Sequence, residues 1–466
     1  MNNLKHTLNY LIGSMGIKAL GFISIPFFTH FLSVKEYGLM GLYSTTLMFL
    51  STLLGLGMTG SFKRYYFEKN GDFGAFLFSN LVFLVFFFLS FLLIYFSFID
   101  EISLYLEIPK IILKYTVFIA FLSLIVRIKL DFLQVQELSK KNITLEFIQS
   151  VFLLILSISF IFYLDENRYL GKVYGDLIGY GIISIYVIYK LKSVLDFKFN
   201  LDYIKYSLLF GLPVLPSMFS SFGLAFADRL MINKITNTED VGLYSFAFMI
   251  AMLLQVVIGA VGKSWQPLFY KVMNEKNYLV LDSVFKRNSK IVFTISIILI
   301  LFAYEFIYVL ASSEYLKSLN VLILLIIGFN FFFLYTAFSQ YVSYSKKTYI
   351  DSIITILSVL LNIGLNYIFL PKYGYIASAI TTIVSYAFMF VMFYLNAKYI
   401  LKYRVVNIFA ISNIILSYIV LLLVFFYLHS IINSYSILLI SKLIIIVIYI
   451  GFNYFDNIKL FVNSRK

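Results

Sequence analysis

About fourteen stretches of this chain are each long and apolar enough to cross a bilayer, and that repetition constrains the fold more than any motif does. A spanning helix needs about 20 apolar residues. The stretches fall at residues 8–31, 38–60, 76–98, 111–136, 144–164, 173–191, 207–233, 242–262, 291–311, 319–344, 350–370, 374–396, 406–428 and 437–455. In lipid every backbone N–H and C=O has to be satisfied within the protein, so only helices and closed barrels span. Runs of this length select the helix. The expected fold is an all-α integral membrane protein of about fourteen transmembrane helices, with twelve as the alternative count. Composition agrees: 61% of the residues are hydrophobic, 13% are charged and the mean hydropathy is +0.91. A soluble chain of 466 residues would need far more polar surface.

Several function classes fall away. The chain has no cysteine, hence no disulfide and no thiolate metal site. His6, His30 and His429 are too far apart in sequence to form a metal cluster, and no Gly-x-x-x-x-Gly-Lys-Ser/Thr phosphate loop is present. No cofactor is implied. The net charge of +14 would suggest nucleic acid in a soluble protein. Here the positive residues fall at membrane edges instead. With the amino terminus inside, twenty-three Lys and Arg, among them Lys63, Arg64, Lys140, Lys141, Lys346 and Arg404, lie on the inner connections and tails, against eight on the outer side. That asymmetry is the pattern expected of a chain with both termini in the cytoplasm. No cleavable signal peptide is expected, because the first run is too long for one and carries Lys18 inside it. The outer connections are short, and no connection could house a soluble catalytic domain.

The runs repeat. Gly41-Leu42-Tyr43-Ser44 recurs as Gly242-Leu243-Tyr244-Ser245, each copy opening an apolar run just after another one. Both runs turn glycine-rich at their far ends, with Gly55, Gly57 and Gly60 in the first and Gly259 and Gly262 in the second. The organisation expected is a six-helix lobe over 1–191, a cytoplasmic linker over 192–206, a second six-helix lobe over 207–399, and two added helices with a tail over 400–466. An even number of helices per block gives the repeats one orientation, related by an axis along the membrane normal.

At this point the chain resembles the polysaccharide flippases of the multidrug/oligosaccharidyl-lipid/polysaccharide exporter superfamily, the O-antigen and capsule type. The resemblance rests on Pro26 through Tyr37-Gly38, on Asp228-Arg229, and on Asn362-Ile363-Gly364-Leu365-Asn366 running to Pro371-Lys372-Tyr373-Gly374. It covers nearly the whole chain. It implies two lobes around a central cavity and alternating access that carries an undecaprenyl-diphosphate-linked oligosaccharide from the inner to the outer leaflet.

The residues supply candidates of their own. A charge inside lipid costs about 2.5–3.5 kcal/mol, so such groups face a cavity or a partner. Lys18 lies about ten residues, or about 15 Å, into the first run, with Ser14 and Gly21 on its face. It is a candidate contact for a diphosphate, against a structural ion pair. Asp228 and Arg229 close a polar stripe with Ser217 and Ser221 in the seventh run, which Pro213 and Pro216 should bend. They read as an anion contact and its positioner, or as interfacial anchors. Arg127, at i, i+4 to Asp131, is a further cavity candidate, while Lys129 reads as a snorkelling side chain. Glu305 could carry a coupling proton, or could be a partner for Arg229 or an interfacial acid. Lys442 reads as a helix-end anchor, and Asn362 and Asn366 as interhelical hydrogen-bond partners. The substrate expected is therefore an anionic, sugar-bearing lipid, with the bilayer and a polysaccharide polymerase machinery as partners and no covalent chemistry. The rivals are a drug or metabolite antiporter of the same superfamily, which would favour cavity acids, and a membrane polymerase or glycosyltransferase, which would need larger outer loops.

Overall fold

The structure is a computed structural model that describes residues 2–68, 72–432 and 434–463. Among the described residues every regular element is a helix. All fourteen expected spans are helical. Ten helices are long and apolar enough to cross a membrane, and an eleventh span is the pair Tyr278–Leu301 and Ala303–Leu310, bent by 61° at its break. The other three expected spans lie in Asn2–Phe31, in Leu170–Lys192, and in a helix interrupted between Leu201 and Ile235.

The chain divides into two compact units, one of Met1–Ser245 with Leu310–Ser312 and Tyr367–Tyr375, the other of Phe246–Val309, Ser313–Asn366 and Ile376–Lys466. The first holds α1 (Asn2–Phe31), α2 (Val34–Gly55), α3 (Met58–Glu68), α4 (Phe73–Ser97), α5 (Ile99–Leu106), α6 (Lys110–Val135), α7 (Ser139–Tyr163), α8 (Leu170–Lys192), α9 (Leu201–Gly211) and α10 (Leu215–Ile235), and the beginning of α11 (Thr238–Glu275). The second holds the rest of α11 with α12 (Tyr278–Leu301), most of α13 (Ala303–Leu310), α14 (Leu319–Tyr344), most of α15 (Thr348–Tyr373), α16 (Ile376–Leu395), α17 (Ser412–Ile431) and α18 (Tyr435–Asn463).

Local chemistry sets the helix ends. Ser33 caps α2 in a reciprocal box: its hydroxyl accepts from the Glu36 N–H while the Glu36 carboxylate accepts from the Ser33 N–H. Asp72 and Asn200 cap α4 and α9 in the same spirit. α2 stops at Leu56 and Gly57, which both take left-handed backbone, and a Cβ on Gly57 would stand 2.5 Å from the Gly211 carbonyl oxygen. Pro213 and Pro216 break the seventh span as expected: α9 ends at Gly211, a 3-10 turn follows over Leu212–Val214, and α10 begins again. The α3 and α9 segments meet through Ser61, whose hydroxyl lies 2.9 Å from that of Ser207, and through Tyr206, whose hydroxyl donates to Glu68 at 2.8 Å.

In the second unit, polar side chains join helices that lipid alone would not hold together. Asn366 donates to Asn362 at 3.1 Å, and its oxygen accepts from Ser378 at 3.0 Å and Thr381 at 2.9 Å. Asn330 donates to Ser296 and to Tyr418, tying α14 to α12 and α17.

Candidate functional site: a glycine-packed junction and a polar cavity

The two echoes meet. Within the first unit, the beginning of α2 packs against the beginning of α11 with almost no side chain between them. A Cβ on Gly38 would stand 2.0 Å from the Thr238 carbonyl oxygen, one on Gly41 would stand 2.6 Å from the Ser245 hydroxyl, and one on Gly242 would stand 2.1 Å from the Val34 carbonyl oxygen. Behind this contact each echo tyrosine is fully buried and donates to an aspartate. Tyr43 reaches Asp176 at 2.7 Å and Tyr244 reaches Asp228 at 2.6 Å. Lys172 completes the first pair, 2.7 Å from Asp176. Arg229, 6% exposed, donates through Nε to Ser245 at 3.1 Å and lies 5.1 Å from the centre of the Phe226 ring. Asp228 and Arg229 are thus built into the echo junction. The Ser221 side chain of their expected stripe lies outside the described residues.

The half of the first unit remote from the echoes holds a cavity of about 470 Å³. Four helices of the unit supply most of its wall by regular spacing: Ser51, Thr52 and Gly55 from α2, Ser123 and Arg127 from α6, Glu146, Gln149 and Ser150 from α7, and Tyr180 from α8. Arg127 keeps 63% of its side chain exposed. Its Nε stands 3.5 Å from Asp131, but that carboxylate is engaged more closely by Lys63 at 2.8 Å, which also donates to Gln134. The guanidinium therefore faces the cavity with most of its donors free. Leu124 belongs both to this wall and to a wholly apolar crevice of about 340 Å³ between α4, α6 and α8. Lys129 lies over the Phe132 ring at 5.2 Å, in keeping with a snorkelling side chain.

Lys18 is exposed, on the side of α1 away from α7, where Gly13 and Gly16 approach Ile143 and Phe147. Its own face changes along the helix. Beyond Gly21, which has open space beside it, Ile25, Thr29 and Leu32 are buried, and the Thr29 hydroxyl donates to the Leu310 carbonyl at 2.6 Å. Lys18 thus sits where a protein-facing stripe opens.

Glu305 accepts from Lys442 at 2.5 Å, and Lys442 is 2% exposed, its ammonium within 5.6 Å of the Phe302 ring centre and 5.8 Å of that of Phe425. The expectation that Lys442 anchors a helix end is corrected: proximity to a helix end in sequence does not measure depth when a second helix covers it. Three site features were missed by sequence reasoning. Asp176 has no signal beyond being an acid in an apolar run. Glu146 and Gln149 do have one, since with Ser150 they form an i, i+3, i+4 polar face on α7.

Comparison with known proteins fits this geometry. The family described as Polysaccharide biosynthesis protein matches residues 4–273, more than half of the chain, and the family described as MatE matches residues 213–368. The chain is similar to "Lsg locus putative protein 1" of Haemophilus influenzae, 24% identical over 290 residues that cover 60% of this chain and 69% of the relative. It is also similar to an "Uncharacterized membrane protein" of the same bacterium, 24% identical over 301 residues with the same coverage. Among solved structures it resembles the lipid II flippase MurJ in an inward closed conformation, with a TM-score of 0.78 and 20% identity over 96% of this chain and 99% of that one. It also resembles an inward-facing multidrug resistance MATE family transporter of the MOP superfamily, with a TM-score of 0.67 and 16% identity over 83% of this chain and 96% of that one. The fold is the one those exporters share, and the chain belongs to the family of polysaccharide biosynthesis proteins.

Proposed function

We propose that this protein is a transporter, a flippase that moves an undecaprenyl-diphosphate-linked oligosaccharide from the inner to the outer leaflet of the bacterial inner membrane for surface polysaccharide assembly. One observation carries the reading: among the apolar helices of the first unit, a polar cavity with a largely exposed guanidinium shares a wall with a purely apolar crevice. A soluble metabolite needs no such crevice, and an apolar drug needs no such cation. An anionic sugar head on a prenyl tail needs both. Family membership and the likeness to a lipid II flippase support the same class.

On this reading both termini are cytoplasmic, the echo junction closes the outer end, and the cavity opens toward the cytoplasm. Alternating access would run between the 1–191 and 207–399 blocks. Lys18 and Arg127 meet the diphosphate. Asp228 and Arg229 hold the outer closure and meet the head group when it opens. The Glu305–Lys442 pair is a candidate for a coupling proton. The reaction forms and breaks no covalent bond, so the site needs no nucleophile.

The test is surface glycan measured per unit of membrane-inserted protein. Lys18→Ala combined with Arg127→Ala should abolish export while the protein stays inserted, and Lys18→Arg should retain part of it. Wild-type export from the double variant would defeat the cationic-cavity reading.

A further inference from the structure

Three lysines that the fold draws inward are given an acid apiece. Lys63 stands 2.8 Å from Asp131 and Lys172 stands 2.7 Å from Asp176, both within the first unit, and Lys442 pairs with Glu305 in the second. Lys129 of α6 is treated otherwise. It is half-buried, and the charges that act on it are the ammonium groups of Lys141, at the start of α7, and Lys190, near the end of α8. Among the described residues no carboxylate forms an ion pair with any of the three. Like charges partly withdrawn from water repel one another and cost stability until an anion joins them. The first unit does not supply that anion.

The place of the cluster says which anion fits. All three lysines lie within about two turns of a helix end, where hydrocarbon gives way to head groups. On α7, Lys141 heads a strip on which Ile148 and Ile155 follow at a spacing of seven. On α8, Lys190 continues the strip of Ile182 and Tyr186 at a spacing of four. Each of these four apolar residues is more than half exposed. The α7 strip turns away from the polar cavity, to which that helix presents Glu146, Gln149 and Ser150. The Lys190 ammonium lies 5.8 Å from the centre of the Tyr186 ring and 5.5 Å from that of Tyr189, the pairing of cation and aromatic ring found at membrane interfaces. We infer that Lys129, Lys141 and Lys190 form a site for the phosphate of an anionic bilayer phospholipid, its acyl chains lying on the exposed strips of α7 and α8. The site is outside the cavity and does not depend on what the cavity carries. A lipid held there joins the ends of three helices, so the stability of the first unit follows the lipid composition of the membrane.

The experiment melts the full-length protein in nanodiscs of phosphatidylcholine with and without phosphatidylglycerol, and counts the lipids it retains by native mass spectrometry. The wild type should melt higher with phosphatidylglycerol and retain it in preference. Lys129→Gln combined with Lys190→Gln should lose most of that rise, and each single substitution should weaken retention about fivefold, the attraction of one lysine at a lipid surface. In pure phosphatidylcholine the double variant should melt no lower than wild type, since it removes repulsion. A lower melting temperature there assigns the lysines a structural role and overturns the site. Lys190→Gln, at an exposed position, carries the comparison should Lys129→Gln accumulate poorly. The charge-matched pair Lys346→Gln and Lys347→Gln, exposed on the second unit, should keep the whole rise. Equal losses in the two pairs would make the effect one of net charge and overturn the site, as would a wild type that melts alike in both discs. A rise reproduced in phosphatidylcholine by inorganic phosphate, or by undecaprenyl diphosphate but not phosphatidylglycerol, also overturns it and gives the cluster to a free anion or to the cargo.

Discussion

The echo junction and the polar cavity lie in the same unit and use similar residues, but they spend their charges differently. At the junction Arg229 is buried against Ser245 and Phe226, and Asp228 accepts from Tyr244. In the cavity Arg127 is mostly exposed, its nearest carboxylate held by Lys63. An ionic group whose partners are supplied by the fold holds helices together. One whose partners are left open awaits a ligand. The state of the partners separates the two cases.

That contrast can be broken or sharpened by substitution. The largest stability effect is expected at Gly38. Gly38→Leu would drive side chain into the Thr238 carbonyl, so the protein should fail to accumulate in the membrane. Gly21→Ala, which meets open space, should accumulate normally on the same immunoblot. Next comes Arg229→Ala, which removes one member of a buried polar cluster and should cost about 3–5 kcal/mol, read as a lowered melting temperature in nanodiscs. A variant that melts like wild type yet exports nothing would move Arg229 to the substrate side. Tyr43→Phe and Tyr244→Phe should each cost about 1–3 kcal/mol by leaving a buried carboxylate short of a donor. The double variant tests whether the two copies act independently, since losses at uncoupled sites add. The smallest stability change belongs to Arg127→Ala, within about 0.5 kcal/mol as for other exposed positions, although export should fall at least tenfold. A large melting shift there would mean the guanidinium is structural after all.

Much of the fold was legible in the sequence because lipid leaves so few choices. Every expected span is a helix, and the prolines at 213 and 216 mark where the seventh one breaks. The asparagines of α15 also read correctly as interhelical bonds, since an amide in hydrocarbon must find a partner. Which charges pair was not legible, because pairing joins residues far apart in the chain. Glu305 and Lys442 are 137 positions apart, and Tyr43 and Asp176 are 133 apart. Neither pair leaves a local spacing. The α7 face of Glu146, Gln149 and Ser150 was readable in principle but was masked by its position near an apolar run's inner end, where polar residues are ordinary.

The contact between the two Gly-Leu-Tyr-Ser copies also bears on ancestry. A single ancestral block with one such strip on its flank would offer a second copy of itself the very surface it fits. A patch that packs against its own duplicate is the mark of an isologous homodimer. Joining two such blocks in one chain turns a self-match into two strips that are free to drift, yet only together. Neither glycine strip can gain bulk unless the backbone opposite withdraws, so each copy is the mould in which the other is cast.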